Sequence, residues 1–310
     1  MNNRLLGSSG IRISTIGLGT NYVGGYGLYH SIDEDEGVRL VQRAIDLGVT
    51  FIDTADIYGF GRSEELVGKA IAGKRDEIVL ATKGANAFAN GERTGVNNRP
   101  EYLRSALEAS LRRLNTEYVD LYYIHRHDGE TPPEDSYGEL MRMKEEGLIR
   151  AGGVSNFELP ELQAAREAGR IDALQSRYNL LQREVEGDIL NFCESNDVSF
   201  IPWGPIAFGL LGGRYTRDFS LPDGDWRERS GLFDSENYAD AMDTVDGLKE
   251  VCAAHNIRLP HLAMQWLLAQ PSVASVITGA KSATQVEDNV AASDVTLTKA
   301  ALAEIMHCVA

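Results

Sequence analysis

The chain has 310 residues, 43% of them hydrophobic and 25% charged, which is the composition of a globular protein rather than a fibrous or disordered one. Forty-six acidic residues against 30 basic ones leave a net charge of −16, which argues against a polyanionic partner such as nucleic acid and for solubility. No run approaches the ~18 apolar residues of a membrane span, so no membrane partner is expected.

The opening Met-Asn-Asn-Arg is not followed by an apolar signal segment, and Cys193, Cys252 and Cys308 have no metal-binding or redox spacing. A reducing cytoplasm is the expected location. A monomer is the default expectation, with a homo-oligomer left open. The acidity itself also suits a salt-adapted host.

In chain order, residues 5–19 contain two short apolar runs around Ser8-Ser9-Gly10, which predict a hairpin leading into a strand. A regular alternation follows. Strands are predicted at residues 13–18, 49–53, 78–82, 119–124, 149–154, 173–176, 199–203 and 273–278, with helical periodicity between them. The clearest helix runs from Pro100 to Leu114, with Leu103, Ala106, Leu107, Ser110, Leu111 and Leu114 on one face. Gly48, Gly73 and Gly147 stand just past helical segments, where a left-handed residue closes the last turn. Eight strands alternating with helices imply parallel pairing through crossover helices. The predicted fold is α/β, a (β/α)8 barrel of the TIM type over residues 1–310 as one domain, with an N-terminal β-hairpin and extra C-terminal helices. Two long insertions, residues 85–98 and 204–235, follow predicted strands and so belong to the face where barrel active sites are built.

Polar residues collect at strand ends on that face. The stretch FIDTADIYG places Asp53 at the end of an apolar run, with Tyr58 in the following turn. Lys83 closes IVLATKG and His125 closes DLYYIHRHD. Singly, a buried Asp accepts backbone hydrogen bonds, a turn Tyr packs, and a lone His is a satisfied core group. Four on one edge point instead to a site. A phenol of pKa about 10 is a poor acid near neutral pH. An adjacent ammonium lowers that pKa, so Lys83 would tune Tyr58 while Asp53 holds Lys83 charged. His125 would hydrogen-bond a substrate oxygen or relay the proton.

The chain resembles the aldo-keto reductases. The likeness rests on GVTFIDTADIYG with GRSEELVGKAI, on IVLATKG, and on RPEYLRSALEASLRRLNTEYVDLYYIH. GGVSNF, LQSRYNLLQRE, PWGPIAFGLLGGRY and ITGAKSATQVEDN continue it in the family's order. The resemblance implies a barrel enzyme reducing a small-molecule aldehyde or ketone with a nicotinamide cofactor, using Asp53, Tyr58, Lys83 and His125 as a catalytic tetrad. Hydride would pass to the carbonyl carbon and Tyr58 would protonate the developing alkoxide.

It also implies cofactor contacts. Ser155, Asn156 and Gln175 would hold the carboxamide, with Thr20 nearby. Trp203 stands where relatives usually carry a stacked Tyr. Gly204, Pro205, Gly209, Leu211 and Gly213 would lie over the pyrophosphate, their backbone N–H groups near phosphate oxygens. Gly279, Lys281, Ser282, Gln285 and Asn289 match the segment around the adenosine phosphate. There Lys281 suits a 2′-phosphate, so NADPH (NADP+) is expected ahead of NADH. Some relatives carry Arg at the Gln285 position. No G-x-G-x-x-G follows a strand, so a Rossmann reading has no anchor.

Tyr22, Tyr26, Phe60, Phe88 and Arg126 are expected to wall the substrate pocket. Arg126 would attract an anionic or sugar-like carbonyl compound, or else pair with Asp128.

Two other readings exist. His125-Arg126-His127-Asp128 contains the H-x-H of metal-dependent barrel hydrolases, but His30, His255, His261 and His307 lie away from predicted strand ends, so no metal is expected. Some relatives are instead regulatory subunits that bind the cofactor and sense redox state.

Overall fold

Asn3–Leu5 (β1) and Arg12–Ser14 (β2) pair antiparallel around the Ser8-Ser9-Gly10 turn, and the hairpin closes one end of a barrel. Leu6, Ile11 and Ile13, each at most 5% exposed, enter the barrel's interior from below. This computed structural model describes residues 1–25 and 33–309.

The barrel strands follow: Ile16–Gly19 (β3), Phe51–Asp53 (β4) and Val79–Gly84 (β5), then a side hairpin of Asn86–Ala89 (β6) and Glu92–Val96 (β7). Val119–Ile124 (β8), Ile149–Ser155 (β9), Ala173–Arg177 (β10), Ser199–Trp203 (β11) and Val276–Gly279 (β12) complete it. All eight are parallel, in the order β11-β10-β9-β8-β5-β4-β3-β12. A parallel bridge between Phe200 and Val273 brings the two edge strands together. The first predicted strand thus divides between β2 and β3. The last begins three residues later than expected, because Val273 serves only as that closing bridge.

Between the strands run Glu34–Asp46 (α1), Arg62–Ala70 (α2), Pro100–Leu114 (α3), Pro133–Glu145 (α4), Leu159–Ala168 (α5) and Asp188–Ser195 (α6). Ser235–His255 (α7) and Leu259–Leu268 (α8) precede β12, and Ala283–Ala291 (α9) and Lys299–Cys308 (α10) follow it. In α3, Leu103, Leu107, Leu111 and Leu114 are all buried against the strands, as the spacing requires. Truncating one, such as Leu107→Ala, removes a core side chain worth about 2–5 kcal/mol. Gly48, Gly73 and Gly147 all have positive φ after their helices.

Side chains alternate along a strand, so the two faces of each strand feed two cores. Phe51, Val79, Ala81, Leu121, Tyr123, Ala173 and Ile201 point into the barrel. Ile52, Leu80, Tyr122, Val154 and Leu174 point out at the helices. This parity decides what reaches the top of the barrel.

Candidate active site at the C-terminal mouth of the barrel

Two residues beyond the inward Phe51 lies Asp53; two beyond Ala81 lies Lys83; two beyond Tyr123 lies His125. By the same step, Ala173 leads to Gln175 and Ile201 to Trp203. Asp53, Lys83 and Trp203 are the last inward positions of their strands, His125 stands one residue past β8, and Gln175 lies two before the end of β10. The alternation that fills the barrel with apolar side chains therefore places its polar groups in one layer at the mouth.

Lys83 is fully buried, and its Nζ donates to Asp53 Oδ2 at 2.6 Å and to the Thr54 carbonyl at 2.8 Å. The other Asp53 oxygen accepts from Gln175 Nε2 at 3.0 Å. An ammonium in a barrel interior needs such answers, because desolvating an unpaired charge is prohibitive. Burial pulls the Lys83 pKa down, but Asp53 and Tyr58 outweigh it and leave it raised, so the lysine is charged.

Tyr58 comes from the turn after β4, whose Gly59 and Phe60 have φ of 57° and 56°. Its ring lies 5.1 Å from Lys83 Nζ and 6.2 Å, edge-on, from the ring of His125. Lys83 lowers the phenol's pKa as expected, yet burial acts more strongly and Asp53 adds to it, so the net direction is upward. The phenol is therefore held protonated, with the lysine moderating what burial imposes. His125 is driven well below its ordinary pKa, first by burial and then by Lys83, Arg126 and Arg93. It is neutral at physiological pH, and its buried Nδ1 has no hydrogen-bond partner among the described residues.

The residues expected around a nicotinamide converge beside this group. Trp203 Nε1 donates to Asn156 Oδ1 at 3.1 Å, and Asn156 Nδ2 donates to Ser155 Oγ at 2.9 Å and to the His125 carbonyl at 3.3 Å. Asn156 has φ of 56°, a conformation that persists for a non-glycine residue when its surroundings enforce it. Gln175 has a role beyond the one expected, because its amide holds Asp53.

Other expected contacts are placed differently. Thr20 is fully buried, and its hydroxyl joins the Asp53 carbonyl at 3.1 Å and Ser63 Oγ at 3.0 Å, so it braces the loop there. Leu211 is fully buried in the outer core and its N–H donates to the Ile206 carbonyl. The Gly209 and Gly213 N–H groups likewise donate within the loop, to Ile206 and Leu210. The loop turns through left-handed residues at Gly204, Ala207, Phe208, Gly209 and Gly213, with Pro205 buried at its start and the Phe208 ring packed between Trp203 and Trp226.

At the far end, Ser282 caps α9 by accepting from the Gln285 N–H. Gln285 Oε1 accepts from the Lys281 N–H at 2.7 Å, and Asn289 Nδ2 donates to the Gly279 carbonyl at 3.1 Å. These residues stiffen the turn after β12 and leave the Lys281 side chain as its cation. Lys281 Nζ lies 5.9 Å from the Tyr22 ring. The pairing of β3 with β12 thus brings Tyr22, expected at the substrate wall, beside the turn that carries Lys281.

Of the expected wall residues, Phe60 and Phe88 pack together at 5.6 Å between ring centroids. Tyr26 lies outside the described residues, as does His30. Arg126 does not pair with Asp128. The Asp128 carboxylate is occupied by the N–H groups of Asn98, Glu130 and Thr131 and by the Thr131 hydroxyl, all within 2.9 Å. The H-x-H motif is not a joint ligand set either: His127 Nδ1 meets Glu161 at 3.0 Å and Nε2 meets the Thr131 carbonyl at 2.9 Å. Arg93 on β7 was not anticipated. Its only sequence signal is a cation at the tip of the GERTG turn.

Known proteins match this arrangement. The profile of the Aldo/keto reductase family matches residues 15–310. The chain belongs to the aldo/keto reductase family. Its structure superimposes with a TM-score of 0.91 on the glycerol dehydrogenase AKR11B4 from Gluconobacter oxydans, at 32% identity over 99% of this chain and 94% of that one. The aldo-keto reductase yakc [NADP(+)] of Schizosaccharomyces pombe is 33% identical over 93% of this chain and 86% of its own length. The NADH-specific methylglyoxal reductase of Escherichia coli is 32% identical over 95% and 94%. As an aldo/keto reductase the chain is an oxidoreductase of small carbonyl compounds, on a barrel in which no described helix is long and apolar enough to cross a membrane.

Proposed function

We propose that this aldo/keto reductase, a single barrel domain, reduces an aldehyde or ketone to the alcohol with NADPH, using Tyr58 as the acid and Lys83, Asp53 and His125 as its supporting groups. The observation that carries the reading is the fully buried Lys83, held 2.6 Å from Asp53 with its charge 5.1 Å from the Tyr58 ring.

The site's own groups fit a nicotinamide cofactor. The indole of Trp203 is bonded to Asn156 and Asn156 to the His125 carbonyl, Gln175 holds Asp53, His125 Nδ1 has no partner among the described residues, and the glycine-rich loop from Gly204 to Gly213 follows Trp203 directly. A bound nicotinamide supplies the hydride that reduces the carbonyl carbon. The oxygen of that carbonyl gains negative charge as the carbon is reduced. Tyr58 gives it the phenolic proton, and the Lys83 ammonium stabilises the phenolate left behind. Neutral His125 orients the oxygen by hydrogen bonding and adds no charge of its own.

NADPH is favoured by Lys281, a cation at the mouth of a turn that Ser282, Gln285 and Asn289 make rigid. The preference over NADH is moderated by Asp225, whose carboxylate feels the Lys281 charge.

The test is Tyr58→Phe. It should reduce aldehyde turnover by at least a thousandfold while NADPH affinity, read by calorimetry, stays within about twofold, since the phenolic proton is needed only in the chemical step. Retention of most turnover would remove Tyr58 from the acid's role.

A further inference from the structure

The mouth of this barrel carries two guanidinium groups that no acid among the described residues answers. Arg126 follows His125, and its backbone carbonyl is held by Asn98 Nδ2 at 2.9 Å. Asn98 is fully buried and ends the segment that carries the β6–β7 hairpin, so it joins that hairpin to the Arg126 loop. On the hairpin Arg93 pairs across the strands with Phe88, whose ring packs on Phe60 two residues past Tyr58. Arg93 Nε is held by Asn86 Oδ1 at 2.8 Å, and the Asn86 carbonyl accepts from the Tyr102 hydroxyl at 3.0 Å. Arg93 is thus held at its Nε and Arg126 at its backbone, and both charges act on His125.

Neither is found in an ion pair among the described residues, although this chain has 46 acidic residues, and residues 26–32 contain none. Asp128, the nearest acid in sequence to Arg126, is occupied by backbone donors. Each arginine's field reaches the other and His125, and that of Arg126 reaches Tyr58 as well. Two like charges held close together cost free energy unless an anion completes them. At physiological salt the general −16 of the molecule is screened beyond about 8 Å, so the local pair governs what is drawn into the mouth.

We infer that Arg93 and Arg126 form an oxyanion subsite beside the reacting carbonyl, so that the preferred substrates are aldehydes or ketones carrying a carboxylate or a phosphate. This rests on the carbonyl-reducing reading above. Phe60 and Phe88 would bear on the apolar part between the two groups, while the planar guanidinium forks match either oxyanion.

Matched pairs test it: 4-carboxybenzaldehyde against methyl 4-formylbenzoate, and glycolaldehyde phosphate against glycolaldehyde. In the wild type, kcat/KM for the anion should exceed that for its neutral partner by about tenfold or more in at least one pair, chiefly through KM, and the ratio should shrink as salt rises. The pair that responds distinguishes carboxylate from phosphate. Arg93→Gln and Arg126→Gln should each move the ratio toward one, and Arg126→Lys should restore part of it. Ratios near or below one in both pairs, or ratios untouched by both glutamine variants, overturn the subsite. If no member of either pair turns over with either cofactor, the reductase reading fails separately. Calorimetry of the two anions then decides the subsite: binding that both glutamine variants weaken sustains it, and no measurable heat with wild type removes it.

Discussion

The indole N–H of Trp203 donates to Oδ1 of Asn156 at 3.1 Å, and the same asparagine is tied to Ser155 and to the carbonyl of His125. The ring expected to stack on the cofactor therefore also sets an amide expected to hold it. Trp203→Phe keeps an aromatic face but removes that donor, freeing the Asn156 side chain. A neutral hydrogen bond contributes about 0.5–1.5 kcal/mol, so cofactor affinity should fall about 2- to 10-fold. Titration calorimetry with NADPH checks this, and equal affinities for the two proteins would show that the bond does no positioning.

The Asp53–Lys83 pair is at most 3% exposed on either side. Asp53→Asn strands an ammonium in the barrel and should destabilise the fold by about 3–5 kcal/mol, read from urea unfolding at neutral pH. The double variant Asp53→Asn/Lys83→Met removes both charges and should recover a large part of that loss. The sign with pH follows from the raised Lys83 pKa: the pair's stabilisation is complete below the unfolded lysine's value of about 10.4 and disappears only as pH rises through the folded one. In Asp53→Asn burial no longer meets that opposing charge, so Lys83 loses its proton more readily and the deficit should shrink as pH rises from 6 to 9; a deficit that grows with pH would contradict the assignment.

Much of this site was legible in the sequence because it lies on strands. Phe51 and Asp53, or Ala81 and Lys83, are two apart, and a period of two carries the apolar pattern of the interior into the polar layer at its rim. The loops gave less. Nothing in the order of residues tells that the Thr20 hydroxyl turns to Ser63, or that Leu211 turns into the core, since a loop side chain's direction depends on what packs around it. Nor does it tell that the Tyr22 ring lies 5.9 Å from Lys281 Nζ, since that neighbour is decided by the pairing of β3 with β12, the first and last strands of the barrel. The Tyr58 pKa went the other way because a charge's pull is readable from a pattern whereas the depth of burial opposing it is not.

Cofactor choice should respond to two residues in opposite senses. Lys281 is the cation after β12, and Asp225, held by Arg227 at 2.7 Å, lies close enough to feel it. Lys281→Ala removes a charge-assisted contact of about 1.5–3 kcal/mol and should weaken NADPH about tenfold or more while changing NADH little. Asp225→Asn removes a repelling charge and should raise the NADPH-to-NADH affinity ratio a few-fold. Parallel calorimetric titrations with both cofactors settle it. A ratio that stays constant in both variants would place the 2′-phosphate elsewhere.

Asp128 makes the loop that presents Arg126 a rigid one. Burial pushes its carboxyl up, but the Thr131, Asn98 and Glu130 N–H groups and the Thr131 hydroxyl outweigh it and bring the pKa down to about 2. A carboxylate held below its unfolded value of about 3.9 contributes stability that is complete at neutral pH and lost as pH falls through the folded value. The depression corresponds to on the order of 2 kcal/mol at pH 7. With its side chain 8% exposed, little of that is screened by solvent. Asp128→Asn, which can still accept hydrogen bonds but has no charge, should therefore unfold at lower urea than the wild type at pH 7. The gap should narrow as pH drops below 4, with roughly half of it gone by pH 3. A gap as wide at pH 3 as at pH 7 would mean that the loop depends on the shape of this side chain and not on its charge.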